Sequence, residues 1–208
     1  MTSILLVHGW GFDAATWDAV RARLPADAVV HTVEFGFLGA APRLDVPEAV
    51  DVAVGHSMGL LWLLTERPCR WDRLVSVNGF PRFAAAPDFP EGVPPRMVER
   101  MRRRLETTPK AVLDEFRARC GAGPAGAAPH SERLARGLDL LRDGDGRPAP
   151  AGTVALAGDA DPIVPPAMAR AAFSFDGVGM VAGGGHLLPL SHPAEVAAVI
   201  LEARPVHE

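Results

Sequence analysis

Short runs of apolar, β-branched residues alternate along the chain with stretches whose apolar positions recur at helical spacing. Residues 4–8, 29–35, 50–54, 73–77, 153–157 and 179–182 read as strands. Between them, residues 14–24 carry Trp17, Val20 and Leu24 on one helical face, and residues 60–66 form a helix stopped before Pro68. Residues 165–173 and 193–203 also read as helices. Strands alternating with helices predict an α/β protein with a mainly parallel sheet flanked by helices. In such sheets the loops that do chemistry gather at the carboxyl ends of the strands.

The alternation breaks at residues 80–150. Residues 81–95 are rich in Pro and Ala, residues 96–105, 110–120 and 132–141 are helical, and residues 121–129 form a Gly/Ala/Pro link. No strand is expected in this stretch. The pattern predicts a core of residues 1–79 and 151–208 with a helical cap, residues 80–150, inserted between two strands. Residues 36–48 offer only a loop interrupted by Gly and Pro.

Composition narrows the function classes. The 208 residues fit one domain with a substantial core, and 48% hydrophobic with 22% charged residues is ordinary for a globular protein. A formal charge of -4 gives no reason to expect a nucleic acid partner. No run is long and apolar enough to span a membrane, and the first residues read as a strand rather than a signal peptide. Cys69 and Cys120 lack the spacing of metal ligands and are expected to be reduced thiols in a cytoplasmic monomer.

The candidate chemistry lies where strand ends are expected. Gly55-His56-Ser57-Met58-Gly59 follows an apolar run and precedes a helix, the layout of a nucleophile elbow that holds a serine on a strained turn. A Cβ at Gly55 or Gly59 would clash where strand and helix cross beside Ser57. A serine hydroxyl needs an imidazole to take its proton, and the imidazole needs a carboxylate to set its tautomer. Asp161, deep in a loop and just before Pro162, is the expected acid; Asp159, nearer the strand tip, is its rival and is expected to bond loop amides. His186, after three glycines, is the expected base. His192 reads as a helix start, and His130 and His207 as solvated. The developing oxyanion needs donors, expected from the backbone N–H groups of Met58, at the start of the elbow helix, and Trp10. The Trp10 side chain could line an acyl pocket or pack as core, and His8 is expected to brace its loop. Such a triad needs no metal or organic cofactor.

Together these residues resemble the α/β-hydrolase superfamily. Within it the likeness is strongest to the carboxylesterases of biotin synthesis, which hydrolyse the methyl ester of pimeloyl-acyl-carrier protein. It is carried by His8-Gly9-Trp10-Gly11-Phe12 with Trp17, by the elbow, and by Asn78-Gly79-Phe80-Pro81-Arg82-Phe83. Gly137-Leu138-Asp139-Leu140-Leu141, Asp161-Pro162-Ile163-Val164-Pro165 and the run from His186 to Pro193 add to it. The resemblance implies substrate contacts from Trp10, Met58, Phe116, Arg117, Ala118, Arg119 and Cys120. It also implies docking of an acidic carrier protein on cap arginines, with Arg117, Arg119, Arg133 and Arg136 as candidates among a set that includes Arg96, Arg100, Arg102, Arg103 and Arg104. Against the family pattern the chain lacks a first hairpin and the helix before the elbow strand, so an N-terminally trimmed version is expected. A carrier-protein thioesterase, a hydrolase of small esters, and a silent carrier-binding module remain as alternatives.

Overall fold

The first strand, β1 (Ser3–Val7), lies in the middle of a sheet rather than at its edge. The computed structural model describes residues 1–173 and 177–202. The sheet has six strands in the order β2-β1-β3-β4-β5-β6, every pair parallel. The others are β2 (Val29–Thr32), β3 (Ala49–His56), β4 (Arg70–Val77), β5 (Val154–Gly158) and β6 (Val178–Val181). Alternate side chains feed two separate cores. Ile4, Leu6, Val52, Val54, Val75, Val77 and Leu156 face one side; Leu5, Val7, Ala53, Leu74, Ala155 and Ala157 face the other. Burial on both faces explains why these strands read as unbroken apolar runs.

The first of these cores is closed by Trp17, Val20 of α1 (Asp18–Arg21), Leu188 of α7 (Leu188–Ser191), and Val196 and Ile200 of α8 (Pro193–Glu202). The second is closed by α2 (Met58–Glu66), α6 (Pro166–Ala172) and three helices between β4 and β5. Those three are α3 (Pro95–Arg104), α4 (Pro109–Arg119) and α5 (Ser131–Asp143). Among the described residues, 80–94 contribute isolated bridges alone: Arg82 with Asp145, Ala84 with Val93 and Ala86 with Phe89.

Two expected elements differ in kind. Residues 14–24 are a 3-10 turn (Ala14–Trp17) followed by the single-turn α1, because the Asp13 side chain caps the turn at the Ala15 N–H and the chain must leave helical geometry before Pro25. The second strand stops at Thr32, after which Glu34 and Arg43 form an isolated bridge that closes a loop. Other boundaries shift by a few residues. Ala203, the last residue of the expected C-terminal helix, and His207 lie outside the described residues.

With this strand order the chain reverses direction across the sheet between β1 and β3. That topological switch point opens a crevice at the carboxyl ends of the two strands. Val7 pairs with Gly55, and His56 pairs with Val77, so the loops after β1, β3 and β4 leave the sheet side by side.

Candidate active site

Ser57 occupies the turn between β3 and α2 with φ 53° and ψ -124°. A non-glycine residue in this region is strained, and the neighbours hold it there. An added Cβ at Gly55 would lie 2.4 Å from the Leu60 backbone, and one at Gly59 would lie 2.3 Å from the Val7 carbonyl oxygen. Only glycine permits the helix to cross the strands this closely, and the close crossing forces the turn.

Three side chains distant in sequence meet at this turn. Ser57 Oγ donates to His186 Nε2 at 3.0 Å, and His186 Nδ1–H donates to Asp161 Oδ2 at 2.8 Å. All three are nearly fully buried. Asp161 Oδ1 accepts from the Ile163 and Val164 N–H groups at 2.7 and 2.9 Å. Burial works to raise the Asp161 carboxyl, but the hydrogen bonds from His186, the Val164 amide and Asn78 outweigh it and hold it below the usual carboxylate range. The carboxylate is therefore ionised and fixed in orientation. Asp159 accepts from the Gly183 N–H at 2.7 Å and is exposed, away from the imidazole.

Two further residues bind the base loop, and neither was singled out from the sequence. His56 Nε2–H donates to the His186 carbonyl oxygen at 2.8 Å. Burial and then the adjacent His186 push the His56 ring down to about 3, so it stays neutral. Asn78, at the end of β4, donates from Nδ2 to Asp161 Oδ2 at 2.5 Å and to the Gly185 carbonyl oxygen at 3.0 Å. Asn78 has φ 47°, within the left-handed region that Asn tolerates better than most residues.

The loop after β1 runs directly against the serine. A Cβ at Gly9 would sit 3.0 Å from Ser57 Cβ. His8 braces this loop: Nδ1 lies 2.9 Å from the Gly9 carbonyl oxygen, and Nε2 lies 3.2 Å from the Phe35 nitrogen and 3.6 Å from Glu34 Oε1. Glu34 ties the next loop by accepting from the Ala14 and Gly36 N–H groups. Burial alone would raise its carboxyl, yet His8 and these amides bring it down to about 2. Met58 opens α2, and the first-turn amides of a helix have no acceptor within it.

Of the expected substrate contacts, some turn inward and some do not. The buried Trp10 side chain packs as core and donates from Nε1 to the Leu134 carbonyl oxygen at 2.8 Å. The Phe116 ring stands edge-on to Trp10, with centroids 4.8 Å apart, and 6.5 Å from the His186 ring. Cys120, one helical turn on, is buried, and burial followed by the nearby Asp161 charge pushes its thiol up to about 12. Both cysteines are free. Ala118 is exposed. Arg117 donates to the Gly11 and Gly123 carbonyls and covers the Phe12 ring. Arg119 donates to the Pro162 carbonyl, and Arg133 to those of Gly36 and Ala40. Arg136 pairs with Glu132. Three of the four candidate docking arginines thus tie the inserted helices to loops of the sheet. His130, expected to be solvated, accepts from the Arg133 N–H as the N-cap of α5. Among the described residues the His192 ring bonds its neighbour Ser191 alone.

Two cavities are lined by neighbours of the three side chains, though by none of the three themselves. One, of about 300 Å³, is lined by Phe35, Phe37, Trp62, Leu140, Arg133 and Met58, the residue after the serine. The other, of about 250 Å³, is lined by Phe83, Met97, Met101, Ile163, Arg119 and Phe116. Among the described residues no three His, Cys, Asp or Glu side chains cluster to hold a metal, and no helix is long and apolar enough to cross a membrane.

Residues 4–199 match the model of the alpha/beta hydrolase family, and the chain belongs to that family. Its site carries the parts of a carboxylic ester hydrolase. It is similar to the pimeloyl-[acyl-carrier protein] methyl ester esterase of Legionella pneumophila (strain Corby), 29% identical over 185 residues that cover 78% of this chain and 77% of the relative. The esterase of the same name from Pectobacterium carotovorum is 26% identical over 175 residues, covering 69% of this chain and 68% of the relative. Among solved structures, the bromoperoxidase from Bacillus anthracis superposes with a TM-score of 0.75 at 20% identity, covering 97% of this chain and 91% of that one, a likeness of fold.

Proposed function

We propose that the protein is a serine carboxylesterase that hydrolyses the methyl ester of pimeloyl-acyl-carrier protein. The observation that carries the chemistry is the hydrogen-bonded line from Ser57 through His186 to Asp161, set on a strained elbow at the switch point of the sheet. The name shared by the relatives from Legionella and Pectobacterium supports the substrate.

Ser57 Oγ attacks the ester carbonyl carbon as His186 Nε2 takes its proton. The oxyanion that develops is held by the N–H groups of Met58 and Trp10, each such donor being worth about 3 kcal/mol in the transition state. His186 then gives the proton to the leaving methoxide, methanol departs, and the acyl group stays on Ser57. Water, deprotonated by His186, resolves the acyl-enzyme to the free carboxylate, and Ser57 regains its proton. Asp161 holds the imidazole in the required tautomer throughout and stabilises its protonated form.

Residues 80–150 act as a cap. Ser57 and His186 are buried, and Phe116 of α4 stands 6.5 Å from the His186 ring, so α4 borders the approach to it. Carrier docking fits Arg96, Arg100 and Arg103 better than the inward-braced arginines. These three recur at helical spacing on α3, are exposed, and have no ion pair or side-chain hydrogen bond among the described residues. A cationic stripe on a chain of net charge -4 would steer an acidic carrier to the cap.

A fluorophosphonate probe tests the nucleophile. It should label Ser57 stoichiometrically, with labelling lost in Ser57→Ala and strongly slowed in His186→Ala. Wild-type protein that resists the probe would overturn the hydrolase reading in favour of a silent binding module.

A further inference from the structure

We infer that Asn78 is a positioning residue of this site, acting on the reaction through Asp161 and the loop that carries His186. The inference rests on the hydrolase reading above and adds a fourth side chain to it.

The hydrogen-bond accounting around Asp161 is complete only with Asn78. Oδ1 takes two backbone N–H groups, from Ile163 and Val164, and Oδ2 takes His186 Nδ1–H and Asn78 Nδ2–H. An ionised carboxylate offers about four such acceptor sites, and here four are filled. Both partners of the Asn78 amide, the Asp161 carboxylate and the Gly185 carbonyl, are acceptors. The amide must therefore present its nitrogen, and it spans the acid and the base loop with one group. Its backbone is set by the sheet: the Asn78 N–H donates to the Leu156 carbonyl at 2.8 Å, which anchors it between the strand of the nucleophile and the strand of the acid.

Asn78 Oδ1 is buried with no hydrogen-bond donor among the described residues, and the residue keeps a positive φ. A residue serving packing alone would be better apolar or glycine. The neutral amide gives Asp161 a donor without adding charge. A carboxylate in its place would repel Asp161, and an alkyl side chain would leave Oδ2 one donor short.

Small-ester hydrolysis by Asn78→Leu and Asn78→Asp, followed across pH with Tm measured alongside, tests this. In Asn78→Leu, kcat should fall roughly 10- to 100-fold with KM little changed, the scale on which orienting partners of a histidine act. In Asn78→Leu the loss of a neutral donor should also leave Asp161 a stronger partner for the imidazolium and move the acid limb of the kcat/KM profile to higher pH with no charge introduced, a change that a purely structural asparagine would not produce; Asn78→Asp, which adds a charge beside the pair, should move it further. If Asn78→Leu does not fold, Asn78→Ser, smaller and polar, supplies the kcat comparison. Wild-type kcat and an unmoved acid limb in the folded variants, whatever their Tm, would overturn the inference while the hydrolase reading stands. Wild-type protein without esterase activity would overturn both.

Discussion

At the scale of single residues the proposed mechanism divides the site into groups that react and groups that hold them. Asp161 and Asp159 separate the two roles within one loop. Asp161→Asn should lower kcat on the order of 10⁴-fold by permitting the wrong imidazole tautomer, whereas Asp159→Asn should stay within a few-fold of wild type, since Asp159 only accepts the Gly183 N–H. Steady-state kinetics on a small ester decides it; equal losses in the two variants would contradict the assignment. Ser57, Asp161 and His186 could be picked out in the sequence because each sits in a local signal: a glycine-flanked elbow, a strand end before proline, a glycine run before histidine. Asn78 and His56 could not be picked out this way. Their partners lie 83 and 130 positions away, and nothing in their neighbours along the chain announces a carboxylate or a carbonyl waiting across the sheet.

At the scale of elements, the strained turn depends on how closely α2 approaches β1. Gly59→Ala would place a Cβ 2.3 Å from the Val7 carbonyl oxygen, a rigid backbone atom. The helix would have to lift away, so the variant should lose about 3 kcal/mol or more, or fail to fold, in a denaturant titration. A loss below about 1 kcal/mol would show that the crossing is not tight. The elbow and the gathering of its loops at the carboxyl ends of the strands followed from apolar runs and glycine placement; the strand order that puts the crevice between β1 and β3 did not. The division of residues 14–24 into two short turns did not, because the periodicity of Trp17, Val20 and Leu24 reports the buried face and not which hydrogen bonds close the turns. The helical nature of residues 96–141 was legible from spacing. Which way its arginines point was not, since a long cation can serve a solvent face or a backbone carbonyl equally well from the same position.

At the scale of the whole molecule, buried titratable groups couple the site to pH. Glu34 falls from 4.5 to about 2 on folding, so its contribution is present above pH 4.5 and is lost as pH drops toward 2. The size is of order 3 kcal/mol. His56 stays neutral down to about 3 where an unfolded histidine protonates near 6.5, so the native state also loses stability as pH falls through that window. Tm should therefore decline from about pH 6.5 downward in two overlapping stages. Glu34→Gln should be less stable than wild type at pH 7 and converge with it near pH 2, whereas a constant difference across that range would contradict the Glu34 assignment. Charge on the inserted helices is the other whole-molecule property. Reversing Arg96, Arg100 and Arg103 to Glu should raise KM for a carrier-linked ester about 10-fold or more and leave small esters unchanged. Reversing Arg117 and Arg119, which brace the inserted helices against the Gly11 and Pro162 carbonyls, should lower Tm and impair both substrates alike. Equal effects on both substrates from the α3 triple variant would remove that helix from docking.

The central claim is the substrate and the bond that breaks in it. Mass spectrometry of pimeloyl-acyl-carrier protein methyl ester incubated with the protein, with Ser57→Ala as control, tests it most directly. The carrier should lose the mass of one methylene, about 14 Da, as the methyl ester becomes the acid, with the pimeloyl thioester intact and no change in the control. Free carrier protein bearing an empty phosphopantetheine arm would contradict the claim and make the protein a thioesterase, and an unchanged carrier alongside rapid cleavage of small esters would remove the carrier-linked substrate altogether.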